Sequence, residues 1–385
     1  MKTWKNLFPK ICSFDNLLLA AAKAQRGKRF RGDVYSFNAR QEENLARLQA
    51  DLLAQKWEPG TYTDFVVREA KLRLVSKAPY PDRVVHHAFG NVVEPLFDRA
   101  FIFDSYACRK GKGSHAAADR YTEFSHRAKY VLKCDISRYF ASIRHDVLFG
   151  AVAKRIADRK TLWLAERIVR SRNDEGLLWP SGRGIPIGNL TSQFFANVYL
   201  NDFDHWMKEE MGCRYYIRYV DDFLILDDDK RRLHDLIPRI EGKLAEIGLD
   251  LHPRKRTVSP VSEGCDFMGY RIWPEWRRVR PSNGHRFRRR LKAMSRDYRI
   301  GAIELEDVKP SVMSWIGHAQ HADTRGLRKA IFRSVSFSRV SGSGAAPRYQ
   351  ARAGIGKGAG RRRLPGFAGR VVEQQSEQLP RLQPQ

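Results

Sequence analysis

The alternation of apolar and polar residues along the chain predicts helices interleaved with strands. Apolar residues at helical spacing make residues 13–56 mainly helical, up to a stop at Pro59-Gly60. Residues 65–75 alternate apolar and charged side chains, which is typical of a strand pair. Further helices are predicted over residues 82–97, 145–169, 191–211 and 230–247, and further strands over residues 129–135 and 265–273. Asp82 is predicted to cap its helix and Pro238 to bend or split the last one. This mixture indicates an α+β or mixed-sheet domain.

One apolar run is interrupted by two adjacent acids. Residues 215–226 read Tyr-Tyr-Ile-Arg-Tyr-Val-Asp-Asp-Phe-Leu-Ile-Leu, so aromatic and aliphatic residues flank Asp221 and Asp222 on both sides. The pattern predicts a strand, a tight turn and a second strand, with both carboxylates at one exposed tip. Adjacent carboxylates repel each other, and a cation that prefers oxygen ligands, magnesium above all, relieves the repulsion. A surface turn that merely contains two acids is the alternative for this segment taken alone.

Asp135, at the end of the strand predicted over residues 129–135, supplies a third carboxylate. A carboxylate at a strand end that faces a pair on a hairpin can grip two metal ions. Such a metal pair activates the attacking oxygen and stabilises the leaving oxygen of an in-line phosphoryl transfer. Taken alone, Asp135 has a helix cap as its alternative role. Together the three acids predict a two-metal site.

The charge balance points to a polyanionic partner. Lys and Arg total 70 against 43 Asp and Glu, which gives a net charge of +27. Residues 277–299 hold ten of these basic residues and one acid, and this uneven placement favours a binding track over a merely soluble basic protein. The five cysteines are scattered without a Cys-x-x-Cys pair, which argues against a zinc site and a disulfide scaffold. No membrane span or signal-peptide core is evident, so a soluble, cytoplasmic protein is expected.

The last third of the chain changes in character. Residues 283–336 are predicted to form a small basic helical unit with Trp315 and Ile316 in its core. Residues 341–370 are rich in Gly and Arg and contain no acid. Such a composition buries too little apolar surface to order itself, so a disordered basic tail is predicted.

These motifs resemble those of reverse transcriptases over about residues 15–335. The resemblance implies a right-hand polymerase fold, with fingers, a palm whose antiparallel sheet packs on helices, and a thumb. It divides the chain into an N-terminal segment with fingers (1–128), a palm (129–275) with a helical fingers insertion near 145–180, a small helical thumb (276–340) and the disordered basic tail (341–385).

The same resemblance assigns roles to the palm residues. Asp135, Asp221 and Asp222 would bind two Mg²⁺ ions, or Mn²⁺, with help from Ile136. Phe140, five positions after Asp135, would crowd the sugar 2′ position and exclude ribonucleotides. Lys255, within His-Pro-Arg-Lys-Arg-Thr, would protonate the pyrophosphate leaving group, and a solvent-facing lysine is the alternative.

The resemblance also assigns substrate contacts to further residues. In the fingers, Arg73 and then Lys71 would clamp the dNTP triphosphate, whereas Arg83 could equally be a structural ion-pair partner. Phe267, Met268, Gly269 and Tyr270 resemble the primer-grip hairpin of the family and would form it here. The template–primer duplex would be contacted by the basic thumb residues Arg286, Arg288, Arg289, Arg290 and Lys292.

One loop resembles that of a particular group of reverse transcriptases. Residues 187–193 read Ile-Gly-Asn-Leu-Thr-Ser-Gln, where many reverse transcriptases carry Gln-Gly followed by Ser-Pro. With Gly-Ile-Pro at residues 184–186, this resembles the reverse transcriptases of diversity-generating retroelements. Gly188 would let the backbone approach the nucleotide closely. Ile187 would lie against the nascent base pair without the hydrogen bonds of a Gln, and Gln193 takes the place of the Pro.

That group copies a template RNA into cDNA with errors opposite adenines, for mutagenic retrohoming into a target gene. The resemblance therefore implies template RNA, a cDNA or primer strand, dNTPs and a small basic accessory protein as partners, in a bacterial or phage-encoded system. A group II intron or retron-type reverse transcriptase is the nearest alternative, since residues 104–115 fit those enzymes too. A non-catalytic RNA-binding derivative is the alternative from another class.

Overall fold

The computed structural model describes residues 3–68, 72–171 and 182–339. The chain divides into two compact units, Met1–Pro260 and Val261–Gln385. The boundary between them falls inside the segment that the resemblance assigns to the palm, and the division into fingers, palm and thumb stays a prediction.

The first unit opens with helices. These are α1 (Phe8–Cys12), α2 (Phe14–Ala24), α3 (Gly32–Asn38) and α4 (Gln41–Leu53), which confirms the helical prediction for residues 13–56. Strands β1 (Thr63–Arg68) and β2 (Leu72–Lys77) then pair antiparallel. Helix α5 follows (Tyr80–Asp98) and packs against α2. Asp82 lies in its first turn but does not cap it, because its carboxylate accepts a hydrogen bond from Gly60 N–H at 2.8 Å.

The centre of this unit is a four-stranded antiparallel sheet. Its strands are β3 (Tyr130–Asp135), β4 (Tyr215–Tyr219), β5 (Asp222–Asp227) and β6 (Thr257–Pro260), in the order β4-β5-β3-β6. The other helices of the unit are α6 (Ser114–Ser125), α7 (Tyr139–Ser142), α8 (His145–Ala153), α9 (Arg159–Val169), α10 (Leu190–Tyr199), α11 (Asn201–His205) and α12 (Lys230–Glu246). Packing on the sheet is aromatic, since Phe203 of α11 meets Phe223 of β5 edge-on at 5.7 Å.

Two helix predictions need correction. The single helix predicted over residues 191–211 is interrupted at Leu200, where ψ is 3°, and continues as α11 and a π-helical turn, Trp206–Glu210, before Gly212. Of the two effects predicted for Pro238, splitting is wrong, because α12 runs through it without interruption, and bending stays a prediction.

Over residues 261–339, the second unit contains a small sheet and three α-helices. Its strands are β7 (Cys265–Phe267), β8 (Tyr270–Ile272) and β9 (Arg277–Val279), in sequential order. Its helices are α13 (Pro281–Arg299), α14 (Leu305–Ala319) and α15 (Arg325–Arg333). Trp315 is buried and stacks on Phe287 with ring centroids 4.2 Å apart, which confirms it as a core residue, whereas Ile316 is only half-buried. The single strand predicted over residues 265–273 is a hairpin, because Met268 and Gly269 both have positive φ and turn the chain.

Helices and antiparallel sheets combine as the predicted α+β class requires. The predicted disordered tail, residues 341–385, lies outside the described residues, as does the end of the fingers insertion beyond residue 171.

Candidate active site

The register of the central sheet brings two of the three predicted acids together. Asp135, the last residue of β3, lies directly opposite Asp222, the first residue of β5. Tyr219 pairs with Asp222, so only Val220 and Asp221 form the turn between β4 and β5. The carbonyl of Asp221 accepts a hydrogen bond from Ile136 N–H at 3.1 Å. Asp221 thus lies in the turn and Asp222 begins β5 directly after it, and both residues are half-buried.

The carboxylates are crowded and partly removed from solvent. The pKa of Asp222 is raised to about 6, mainly by burial and also by the negative charges of Asp221 and Asp135, while Lys133 opposes the shift. A hydrogen bond between the Asp135 and Asp222 side chains also favours the protonated form. A positive charge placed among these groups would reverse the shift.

Lys255 is already in contact with this cluster. Its Nζ lies 2.5 Å from Asp135 Oδ2. The backbone sets up the contact, because His252 N–H donates to the Asp135 carbonyl at 2.8 Å and Lys255 N–H donates to the His252 carbonyl at 3.0 Å. Of its two predicted environments, Lys255 occupies the one beside the acids.

The donor set suits a hard divalent cation, since Mg²⁺ prefers carboxylate oxygens. Within residues 3–68, 72–171 and 182–339, however, no group of three or more His, Cys, Asp or Glu side chains is already arranged as a metal cage. The ammonium of Lys255 supplies the positive charge beside Asp135 instead. An ion that binds here must therefore compete with Lys255 for that carboxylate.

Main-chain hydrogen bonds connect the loop before α10 to α7 and to β2. Ile185 N–H donates to the carbonyl of Phe140 at 2.9 Å, and Ser76 N–H of β2 donates to the carbonyl of Ile187 at 2.9 Å. Gly188 has φ +124°, and a Cβ built on it would lie 2.7 Å from the Ser76 carbonyl oxygen. The close approach that Gly188 permits in this structure is thus to strand β2.

For the other residues predicted to bind the nucleotide, the structure gives their burial or strand position but few contacts. Phe140, Ile187 and Gln193 are half-buried. Arg73 lies in β2 opposite Val67, and Lys71 lies outside the described residues. The ion-pair alternative for Arg83 is the one observed, because Arg83 Nη2 is 2.9 Å from Asp33 Oδ2.

The predicted primer-grip residues form the turn of the hairpin in the second unit. Phe267 and Tyr270 are buried and pair across β7 and β8, with Met268 and Gly269 between them. The Gly269 carbonyl accepts a hydrogen bond from Arg280 N–H at 3.0 Å. Tyr270 also stacks on His318 of α14, with ring centroids 4.4 Å apart. The turn is therefore held by both α14 and the start of α13.

The predicted duplex-contacting residues lie on α13. This helix buries a single stripe, Gly284, Phe287, Leu291 and Ser295. Most of the basic residues are consequently exposed, namely Arg286, Arg288, Arg289 and Lys292. Arg290 differs, because it is half-buried and burial lowers its pKa.

Sequence reasoning missed one pair of residues beside the turn that carries Asp221. Arg218 and Asp204 are both fully buried and form an ion pair of 2.6 Å. The available signal was an arginine in the middle of an otherwise uncharged strand, residues 215–219. Its partner could not be read in the same way, since Asp204 lies on a different element.

None of the helices in the described ranges has the length and apolarity needed to cross a membrane.

Comparison with known proteins extends these observations. The profile of the family "Reverse transcriptase (RNA-dependent DNA polymerase)" matches residues 64–272, just over half of the chain. "Protein YkfC" of Escherichia coli (strain K12) is 25% identical over 275 residues, which cover 61% of this chain and 72% of that protein. "Group II intron-encoded protein LtrA" of Lactococcus lactis is 22% identical over 219 residues, covering 54% of this chain and 37% of that protein. "Nuclear intron maturase 1, mitochondrial" of Arabidopsis thaliana is 31% identical over 103 residues, covering 26% and 14%.

The matched span includes the three acids, the loop before α10 and the hairpin of the second unit. Reverse transcriptases generally use divalent metal ions such as Mg²⁺, and they extend a primer on an RNA template with dNTPs. The chain belongs to the reverse transcriptase family of RNA-dependent DNA polymerases.

Proposed function

We propose that this chain copies a template RNA into cDNA by two-metal phosphoryl transfer at Asp135, Asp221 and Asp222. The observation that carries the proposal is the strand register, which sets Asp222 opposite Asp135 and ties the Asp221 carbonyl to Ile136 N–H. Carboxylates held this close are unfavourable without a cation among them.

The three carboxylates would hold the metal ions together with the main chain at Ile136. When bound, the ions supply charge stabilisation for the attacking and leaving oxygens. With metal ions on Asp135, Lys255 would be released from that carboxylate, and its ammonium would then be free to donate a proton to the pyrophosphate. Phe140 would exclude ribonucleotides by crowding the sugar, and Arg73 and Lys71 would bind the triphosphate.

Substitution of single acids tests the assignment. Asp221→Asn and Asp222→Asn should each abolish dNTP incorporation on a primed RNA template, because an amide is a weak ligand for Mg²⁺. Asp227→Asn is the matched control, since Asp227 ends the same strand and pairs with Arg232 at 2.5 Å. Full activity in either active-site variant would refute the two-metal assignment and would favour the non-catalytic alternative.

We further propose that synthesis is error-prone opposite template adenines and serves mutagenic retrohoming, with a small basic accessory protein as partner. The support is the residue type at position 187, since an apolar Ile stands where a Gln would offer hydrogen bonds, and a main-chain bond from Ser76 holds the backbone of this loop. Sequencing of cDNA made by the wild type and by Ile187→Gln tests this. We expect errors concentrated at adenines in the wild type and fewer in the variant, whereas equal error rates at all four bases would refute the proposal.

A group II intron or retron-type reverse transcriptase is the second candidate, and the similarity to LtrA favours it. This chain matches only 37% of LtrA, so that protein's whole activity does not transfer directly. The two candidates differ in their products. A uniform error spectrum, together with selective binding of an intron RNA, would favour the second candidate.

A further inference from the structure

A buried ion pair lies beneath the turn that carries Asp221. Arg218 on β4 and Asp204 on α11 are both 0% exposed, and Arg218 Nη2 is 2.6 Å from Asp204 Oδ2. Removing two charges from water is unfavourable unless every polar atom finds a partner. None of the roles proposed above uses this pair, so its retention calls for another explanation.

The hydrogen bonds of Arg218 are complete. A guanidinium has five N–H donors, and here each has an acceptor. Nε donates to Asp204 Oδ1 at 2.7 Å, and Nη2 donates to Asp204 Oδ2 and to Ser105 Oγ at 3.3 Å. Nη1 donates to Asn197 Oδ1 at 3.2 Å and to the main-chain carbonyl of Val220 at 3.0 Å. Four bonds thus orient the guanidinium against side chains, and the fifth reaches the catalytic turn.

The fifth hydrogen bond is accepted by a residue with an unusual backbone conformation. Val220 has φ +56°, a left-handed conformation that β-branched residues rarely adopt. Such conformations persist only where the surroundings fix them, and they cluster at functional sites. Arg218 holds the Val220 carbonyl, and Ile136 N–H holds the next carbonyl, that of Asp221, at 3.1 Å. Two successive peptide groups of the turn are therefore fixed from two different elements.

We propose that Arg218 is a positioning residue, whose guanidinium, oriented by Asp204, holds the Val220 carbonyl and so fixes where Asp221 and Asp222 present their carboxylates. The inference rests on the proposed function of these acids. Asp204 is itself held by the hydroxyl of Tyr216, which donates to Oδ1 at 2.7 Å. A lysine has three donors on a flexible stem and cannot reproduce the planar fork.

The first test compares two arginine-to-lysine variants in single-nucleotide incorporation on a primed RNA template. Arg218→Lys should lower kcat on the order of 100-fold, the cost of a small misplacement of reacting groups. KM for dNTP should stay within about threefold, since no substrate contact is lost. Arg109→Lys is the control, because Arg109 is also a largely buried arginine, with 9% of its side chain exposed, and is ion-paired with Asp98 at 2.5 Å but binds no part of the turn. Equal kcat values for Arg218→Lys and the wild type would overturn the inference.

A second variant separates positioning from folding. The triple change Arg218→Met, Asp204→Leu and Tyr216→Phe removes the pair and the hydroxyl that would lose its acceptor. Replacing a buried ion pair with apolar residues often leaves a protein folded. We expect a wild-type circular dichroism spectrum and cooperative melting, with kcat lowered as in Arg218→Lys. A folded triple variant with wild-type kcat would overturn the inference, and so would loss of fold in both variants, which would make the pair purely structural.

Calorimetric titration with Mn²⁺ gives a readout that does not depend on turnover. Arg218→Lys should bind Mn²⁺ about tenfold more weakly than the wild type and Arg109→Lys, which is the usual effect of disturbing groups that orient metal ligands. Unchanged Mn²⁺ affinity in Arg218→Lys would count against the inference. Wild-type protein that incorporates no dNTP would instead refute the proposed function, so the two failures are distinguishable.

Discussion

The contact between Gly188 and β2 yields a prediction that the structure makes quantitative. An alanine at this position would place its Cβ 2.7 Å from the Ser76 carbonyl oxygen and 3.0 Å from Val75 Cγ1. The first of these atoms belongs to the backbone, so it cannot rotate away. The loop would have to move off β2, and the bond from Ser76 N–H to the Ile187 carbonyl would lengthen or break.

The cost of Gly188→Ala has two parts. Holding a residue with a side chain at φ +124° costs about 1–3 kcal/mol. Forcing a methyl group into an occupied space adds about 1–3 kcal/mol. Gly111→Ala is the matched control, because Gly111 has φ +71° and a Cβ there meets no described heavy atom within 4 Å. Only the first part applies to it, so Gly188→Ala should be the more destabilising change by about 1–3 kcal/mol.

Hydrogen exchange followed by mass spectrometry measures the effect locally. The peptide that contains Ser76 should lose protection in Gly188→Ala and keep it in Gly111→Ala, because only the first substitution disturbs the acceptor of the Ser76 amide. Incorporation of dNTP should also show a higher KM in Gly188→Ala, since the displaced loop leads directly into Gln193. Equal protection of the Ser76 peptide in both variants would refute the reasoning.

Three further outcomes are expected. Burial raises the pKa of Asp82 to about 6 from an ordinary 3.8, so its stabilising contribution is complete below pH 3.8 and is lost as the pH rises to about 6. In the wild type, the free energy of unfolding should therefore fall by up to about 3 kcal/mol between pH 3.8 and pH 6, and in Asp82→Asn this fall should be absent. Thermal melting across this pH range measures it, and the same pH dependence in both proteins would contradict the prediction. Phe287→Ala removes the ring stacked on Trp315 and should destabilise the second unit by about 3–5 kcal/mol in thermal melting, whereas an unchanged melting temperature would place that core elsewhere. Three exposed basic residues of α13 should contact the duplex: Arg286, Arg289 and Lys292. Changing all three to Gln should reduce the slope of log Kd against log salt for duplex binding by about 2–3. Lys309→Gln on α14 is the control and should leave that slope unchanged.

The fold was predictable where periodicity is strong and local. The β4–β5 hairpin and helices α2 and α5 follow from apolar spacing in the sequence alone. The interruption at Leu200 did not, because the apolar pattern continues across it. The turn at Met268 and Gly269 followed from the resemblance to a primer-grip hairpin and not from the local pattern, since a methionine gives no signal for positive φ. Local propensity fails at such places because packing decides the conformation.

The candidate site divides in the same way. Asp221 and Asp222 could be identified from the sequence as two adjacent acids between apolar flanks, and Asp135 as the end of a predicted strand. Their mutual placement required the register, which sequence spacing does not give. Burial was equally inaccessible for Arg218, because an arginine in a strand is usually read as exposed. Its partner comes from α11, across a helix break that periodicity also missed.

The two cations beside the acids are suited to opposite tasks. Arg218 is fully buried with all five donors engaged, so no ligand can displace it without leaving the Asp204 carboxylate buried and unpaired. Lys255 has a side chain 37% exposed and joins Asp135 through a single flexible ammonium, which water or a metal ion can replace at little cost. Because arginine offers a rigid fork and lysine a mobile point charge, the residue types match these environments. In the mechanism proposed here, the geometry of the turn depends on a cation that stays, and metal binding depends on one that can leave.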